Sequence, residues 1–254
     1  MLKLDLSGKI ALVTGATGQL GRVMARTLAE CGAAVVIHYR TQEAAANQLQ
    51  RDLESHGYHA LAVQADITDE GSVQTMRDHI TSHLGAPHIV VANAVSQIAW
   101  KTVLEQAASD YEDQFKSCVL QTVLLAQAFL PAMIERGQGR YIAINTECAM
   151  QNFPTQSAYS AGKRGLDGVV RVLAKEVGMH QITVNQVAPG WTISDRDRQA
   201  GTEHDPAYES RVPLHRRGTD QEIANVVAFL ASDLASYITG AYVPVSGGNV
   251  MPAI

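Results

Sequence analysis

The chain has 254 residues, 46% of them apolar and 18% charged, with 20 glycines and 8 prolines. That composition excludes disordered, collagen-like and coiled-coil classes, and the length suits one α/β domain able to bury about 70–75% of its unfolded surface. Net charge is −5 and the longest basic run is Arg216-Arg217, so no phosphate-neutralising surface and no nucleic-acid partner are expected.

Asp5 and Lys9 interrupt the first apolar residues before a signal core forms. No run of about 18 uninterrupted apolar residues follows, so no membrane partner and a cytoplasmic location are expected. Short β-branched runs at 10–14, 34–38, 60–64, 89–92, 140–145, 182–187 and 242–245 predict strands. Nearly all are too apolar to keep one wet face, which suits a parallel sheet covered on both sides. Helical periodicity fills 20–31, 42–56, 69–84, 110–136, 158–177 and 221–231. The fold class is therefore α/β: a single doubly wound, Rossmann-like domain over 1–254, its ligand crevice at the carboxyl ends of the strands where strand order reverses. One segment, 189–220, carries charges, Gly and Pro without periodicity and is expected to be a substrate-binding lid.

The first predicted strand runs into Thr14-Gly15-Ala16-Thr17-Gly18-Gln19-Leu20-Gly21 and then a helix. A glycine-rich strand-to-helix turn lets the backbone approach a pyrophosphate, and the helix N-terminus directs N–H groups and a positive dipole end at it. Dinucleotide binding is the expectation. The second strand leads into Arg40-Thr41 and offers no carboxylate for a ribose 2′-hydroxyl. Arg40 presents a forked cation where a 2′-phosphate would sit, which favours NADP(H) over NAD(H). Asp66, with Ile67 beside it, either bonds an adenine ring or caps the helix that starts near Asp69. Asn93 and Ala94, ending the fourth strand, lie where backbone passes close beneath a cofactor.

Tyr159 and Lys163 are spaced i, i+4 and share a helix face. An ammonium about 4 Å from a phenol contributes on the order of 4 kcal/mol, enough to move a tyrosine by about three pKa units toward 7. Thr146, ending the fifth strand, is placed to deliver a hydroxyl to the same crevice. Cys31, Cys118 and Cys148 are expected to be free thiols. His79 and His83 share a helix face but have no third ligand nearby, so no metal is expected.

Together the glycine turn, Asn93-Ala94, Tyr159-x-x-x-Lys163, Val184-Asn185-x-x-x-Pro189-Gly190 and the closing Thr239-Gly240 and Gly247-Gly248 resemble the short-chain dehydrogenase/reductase family over nearly the whole chain. The resemblance implies hydride transfer between a nicotinamide cofactor and a carbonyl/alcohol pair. Tyr159 would exchange the proton, Lys163 would lower the tyrosine pKa and hold the nicotinamide ribose, and Thr146 would stand for the family's serine. Pro189, Gly190 and Thr192 would lie against the nicotinamide amide, and Ser194 would replace a threonine near the pyrophosphate. A dimer or tetramer built through helices 110–136 and 158–177 is also implied.

The departures are specific. Cys118 aligns with the family's active-site asparagine, Gln19 and Val95 occupy usual glycine positions, and Ser246 replaces an aspartate. They leave a second reading open, a cofactor-binding sensor or scaffold, and a third, a lyase or epimerase on the same fold. For the substrate, Gln97, Glu147, Gln151, Asn152 and Trp191 are expected to face the crevice and suit a small hydroxylated molecule; Glu147 and Gln151 facing solvent on a rim loop is the alternative. The glycines at 162, 165 and 168 predict close approach of another element to their helix.

Overall fold

The computed structural model describes residues 4–252. Seven parallel strands form one sheet: β1 Ile10–Val13, β2 Ala34–Tyr39, β3 Ala60–Gln64, β4 Ile89–Ala92, β5 Gly139–Ile144, β6 Ile182–Pro189 and β7 Tyr242–Val245. Their order is β3-β2-β1-β4-β5-β6-β7. The order reverses between β1 and β4, the place where a doubly wound sheet opens a crevice beyond its strand ends.

Burial explains the assignment. Every residue of β4, β5 and β6 is buried, as a parallel sheet with helices on both faces demands. The edge strand β7 is only half-buried and tolerates Pro244, which donates no ladder hydrogen bond. Helices α1 Gln19–Glu30, α2 Glu43–Ser55 and α10 Asp220–Ala231 close one apolar core, with Met24, Leu28, Leu49 and Val227 among its members. On the other face, α3 Glu70–His83, α5 Gln121–Arg136 and α7 Ser157–Val177 close a second core around Met76, Phe129, Met133 and Val170.

The helix expected over 110–136 is not uniform. It begins as α4 Ala108–Gln114, widens into a π-helical segment over Phe115–Leu120, and continues as α5. The 29-residue run Ala108–Arg136 is long and apolar enough to cross a bilayer, but 67% of its most apolar window is buried inside the protein, as for a core helix.

Segment 189–220 also differs from its expectation of irregular chain. It contains α8 Asp195–Ala200 and α9 Pro206–Glu209, and α6 Cys148–Gln151 likewise appears after β5. These helices are set by end chemistry. Ser194 and Asp197 form a reciprocal cap on α8, and Asp205 caps α9 with Pro206 in its first turn. One or two turns bury no apolar stripe, so periodicity cannot reveal them.

The glycine face of α7 packs within the chain. A Cβ on Gly162 would come within 2.9 Å of the Gln114 carbonyl oxygen, and one on Gly165 within 2.8 Å of Val119. Gly168 faces open space, so the expected close approach holds for two of the three glycines.

Candidate active site and cofactor cavity

The end of β1 is stitched to the end of β4. Thr14 Oγ1 accepts the N–H groups of Asn93 and Ala94 at 2.9 and 3.1 Å, and the Asn93 amide donates to the Thr14 carbonyl at 2.8 Å. Gly15 turns the chain at φ +61°, with Ala94 only 3.0 Å from where a Cβ would stand. At Gly21 a Cβ would lie 2.2 Å from the Gly15 carbonyl oxygen, so the turn closes onto α1 only with glycine there.

His38, unremarked in the sequence reading, fastens this turn. Its Nδ1 accepts the Gly15 N–H at 3.0 Å, which leaves Nε2 to donate to the Ala65 carbonyl at 3.1 Å. Burial lowers its pKa to about 4, so the ring is neutral at pH 7. The available signal was a polar residue inside an apolar β-branched run.

A cavity of about 790 Å³ opens beyond this turn. Gly15, Thr17, Gly18, Gln19, Leu20 and Gly21 form its floor, and Arg40, Thr41, Asp66, Ile67, Asn93 and Ala94 its sides. Gly18 precedes α1 without any side-chain cap, so the first N–H groups of the helix remain available to an anion. Arg40 is exposed at the rim. Asp66 does not cap α3, a role taken by Asp69, whose side chain accepts the Ser72 N–H. Instead Asp66 Oδ1 accepts the hydroxyl and N–H of Thr68 at 2.7 and 2.9 Å, and these bonds hold its pKa below the usual carboxylate value.

A second cavity of about 680 Å³ adjoins the first, sharing Gln19, Leu20, Asn93 and Gln97. Thr146, Tyr159 and Lys163 converge on it from the end of β5 and from α7. The Thr146 side chain favours the ionised form of the Tyr159 phenol, against the effect of burial. Trp100, also missed from the sequence, stands edge-on to Tyr159 with ring centroids 5.6 Å apart.

The expected electrostatic activation of Tyr159 is not present in this arrangement. Lys163 Nζ lies 5.8 Å from the phenol ring centroid and donates to the Ile144 carbonyl at 2.6 Å. Burial pushes the tyrosine above its ordinary range and the lysine below its own. Desolvation disfavours both charged forms and here outweighs the ammonium.

Cys118 lies behind the cavity. It is fully buried in the π-helical segment and outside the lining of either cavity, and its Sγ is 3.8 Å from Gln114 Oε1. Burial raises its pKa against the opposing influence of Lys163. The polar work falls to two amides that flank this segment, Gln114 ending α4 and Gln121 opening α5, neither of them singled out by the sequence. Gln114 donates to the Ser96 carbonyl at 2.9 Å and Gln121 to the Ala94 carbonyl at 2.6 Å, holding the loop that runs between the cavities.

Glu147 lines the reaction cavity but does not face solvent on a rim loop. It is 3% exposed, and its carboxylate accepts from the Tyr208 hydroxyl at 2.9 Å, the Asn249 amide at 3.0 Å and the Trp191 N–H at 3.2 Å. Burial raises its pKa. Gln151 and Trp191 line the cavity, whereas Asn152 is turned away to accept from Arg164 at 2.9 Å.

Pro189, Gly190 and Thr192 form the near wall where β6 passes into the 189–220 segment. Gly190 is hemmed by Ser246 and Tyr208, each 2.9 Å from a would-be Cβ. Ser194 lies outside both cavity linings, its hydroxyl donating to Asp197 at 2.7 Å as the cap of α8. Ion pairs fasten the segment: Arg22 with Asp195 at 2.5 Å, Arg198 with Asp220 at 2.9 Å, and buried Arg217 with Asp197 at 2.7 Å. Arg217 also lies 4.3 Å over the Trp191 ring. Among the described residues no group of three or more His, Cys, Asp or Glu is arranged to hold a metal.

The family profile described as Enoyl-(Acyl carrier protein) reductase matches residues 15–249. The chain belongs to the short-chain dehydrogenase/reductase family. As a member it is an NAD(P)-dependent oxidoreductase acting on a CH–OH/C=O pair. The 3-oxoacyl-(acyl-carrier-protein) reductase FabG of Pseudomonas aeruginosa is 39% identical over 249 residues, covering 98% of this chain and 100% of that one. FabG of Escherichia coli is 36% identical over 248 residues, with 98% and 100% covered. Among solved structures, a 7α-hydroxysteroid dehydrogenase complexed with NADH and 7-oxo glycochenodeoxycholic acid superposes with a TM-score of 0.89 at 31% identity, covering 98% and 97% of the two chains. A gluconate 5-dehydrogenase from Burkholderia cenocepacia in complex with NADP and tartrate gives 0.89 at 28% identity, with 97% of each chain covered. Relatives of this short-chain dehydrogenase/reductase thus act on substrates as different as a carrier-bound acyl group and a steroid.

Proposed function

We propose that the protein interconverts a carbonyl and an alcohol on a small, polar or hydroxylated molecule, using NADP(H) in preference to NAD(H), with Tyr159 as the proton donor and acceptor. The convergence of Thr146, Tyr159 and Lys163 on one cavity beside the glycine turn carries this reading. When bound, the nicotinamide supplies or accepts the hydride. The residues present fit such a cofactor. The uncapped start of α1 and Gly15, Thr17, Gly18, Gln19, Leu20 and Gly21 would take the pyrophosphate, and Arg40 with Thr41 a 2′-phosphate. Asp66 and Ile67 would border the adenine, Asn93 and Ala94 the ribose side, and Pro189, Gly190 and Thr192 the nicotinamide amide. The relatives include an enzyme seen with NADP, which supports the choice.

The half-buried, protonated Tyr159 is suited to donate to the oxygen of a carbonyl, and the Thr146 hydroxyl to hold that oxygen. Lys163 holds the ribose and limits the cost of the phenolate left behind. Glu147 has its oxygens occupied and acts by holding Trp191 and Tyr208, while Gln151 and Trp191 touch substrate. Segment 189–220 serves as the lid. Assembly as a homodimer or homotetramer through α4, α5 and α7 is part of the same reading, supported by Phe115 in the π-helical segment between α4 and α5 and by Val172 on α7, each 56% exposed. So is a cytoplasmic location, supported by three free cysteines.

The test is incubation with NADPH and a panel of carbonyl compounds while absorbance is followed. Oxidation that depends on one class of carbonyl is expected. Tight NADPH binding with no turnover on any carbonyl would support a sensor instead.

A further inference from the structure

Arg211 follows α9 at the mouth of the reaction cavity, with Phe153 and Tyr208 beside it in the wall. Its guanidinium carbon lies 5.1 Å from the Phe153 ring centroid and 5.9 Å from that of Tyr208. Among the described residues no hydrogen bond or ion pair uses its guanidinium N–H groups. Other arginines of the same segment are paired: Arg198 with Asp220, Arg216 with Glu222 and Arg217 with Asp197. Arg196 is exposed and lines neither cavity.

Stacking on an aromatic face fixes the guanidinium plane and leaves its N–H edge free for bidentate contact with a planar anion. No wall group answers that charge. Glu147, the carboxylate in the wall, already accepts from Tyr208, Trp191 and Asn249. Lys163 adds a second positive charge deeper in. Both tryptophans of the chain, Trp100 and Trp191, line the same cavity. An exposed but unpaired cation held against two rings at the cavity mouth favours an anionic ligand group, because charge-assisted bonds to carboxylate or phosphate are about twice as strong as neutral ones.

We infer that Arg211 anchors a carboxylate or phosphate carried by the substrate at a distance from its reacting carbonyl. The inference rests on the oxidoreductase reading above and narrows its substrate class to anionic carbonyl compounds and the corresponding hydroxy acids or hydroxyalkyl phosphates. Arg211 acts as a specificity-determining residue and takes no part in proton or hydride transfer.

The experiment compares matched probes: pyruvate, acetoacetate and levulinate, each against its methyl ester, and dihydroxyacetone phosphate against dihydroxyacetone. Initial rates with NADPH give kcat and KM. Quenching of Trp100 and Trp191 in the NADPH complex gives affinity without turnover. For at least one pair the anion should bind, or be reduced with kcat/KM, tenfold or more better than its neutral partner. In Arg211→Met that advantage should disappear through KM, with kcat held within about threefold, and Arg211→Lys should restore part of it. The carboxylate and phosphate pairs separate the two anions. Equal handling of every anion and its neutral partner overturns the inference while leaving turnover, and so the oxidoreductase reading, intact. Binding discrimination without any turnover keeps the anion site and overturns the oxidoreductase reading. A rise in KM confined to acetoacetyl carried on an acyl carrier protein, with free acids unaffected, overturns the inference in favour of a docked carrier.

Discussion

The Gln19 side-chain amide donates to the Ile193 carbonyl at 2.5 Å, joining the first turn of α1 to the chain just beyond β6. One turn on, Arg22 pairs with Asp195 at the start of α8. A residue that departs from the family's glycine thus ties the cofactor turn to the proposed lid. A half-exposed ion pair contributes at most about 1 kcal/mol and a side-chain hydrogen bond about 1 kcal/mol. Removing both with Gln19→Ala and Arg22→Ala should raise the open population of the lid roughly five- to thirtyfold. Limited trypsin digestion at the exposed Arg196 and Arg198 reads that population. Cleavage at the wild-type rate would show that the pairs of Arg198 and Arg217 hold the lid alone.

Arg40 predicts cofactor choice. It stands at the rim of the cofactor cavity, with Asp66 as the nearby carboxylate. Thr68 occupies Oδ1 of Asp66, and among the described residues no ion pair joins Asp66 to Arg40, so the guanidinium stays open to a phosphate. NADP(H) should bind at least tenfold tighter than NAD(H), a difference of about 1.4 kcal/mol. Arg40→Asp should reverse the order. Calorimetric titration of both cofactors decides it, and equal affinities would remove the assignment.

The sheet was legible because each strand is a short apolar run separated by a helix-length periodic stretch, and a parallel sheet leaves few other ways to bury them. Strand ends were less so: β6 extends two residues beyond its expected end because Pro189 still pairs alongside Val245 on the edge strand. The π-helical segment left no mark, since the wider turn changes no residue type and Cys118, Val119 and Leu120 run on into the apolar pattern of α5. Of the site, Thr146, Tyr159 and Lys163 were legible as a spacing. His38, Gln114 and Gln121 were not, because their partners are backbone groups far away in the chain.

The neutral ring of His38 makes stability depend on pH. Its folded pKa of about 4 lies below the ordinary 6.5, so the unfolded chain binds the proton more readily. Stability is therefore fully present above pH 6.5 and is lost as pH falls toward 4, by about 3 kcal/mol if the whole shift is realised. His88, held low by burial, acts in the same direction. Urea midpoints measured from pH 7.5 to 5 should decline, and His38→Gln should flatten that decline while lowering stability at pH 7.5. An unchanged slope in His38→Gln would assign the effect to other groups.

The last prediction concerns the proton. If burial dominates at Tyr159, the phenol of the free protein stays protonated through neutral pH. The phenolate absorbance of wild type minus Tyr159→Phe should then show no step below pH 10. A step near neutrality would mean that Lys163 approaches the phenol in solution more closely than its bond to Ile144 allows. In turnover, Tyr159→Phe should remove nearly all activity and leave cofactor affinity within a few fold, since the phenol oxygen matters in the transition state. Thr146→Ser should retain activity, and Thr146→Ala should lower kcat roughly ten- to a thousandfold by losing one oxygen-stabilising bond. Cys118→Ala separates two roles for the position the family gives to asparagine. The thiol touches neither cavity, is a weak hydrogen-bonding group, and has Gln114 as its side-chain partner. Its loss should cost about 1 kcal/mol of stability through a small void and change kcat by less than about tenfold. Activity abolished in Cys118→Ala with the fold and NADPH affinity intact would place the thiol in the proton path after all, acting through Lys163 from behind the cavity wall.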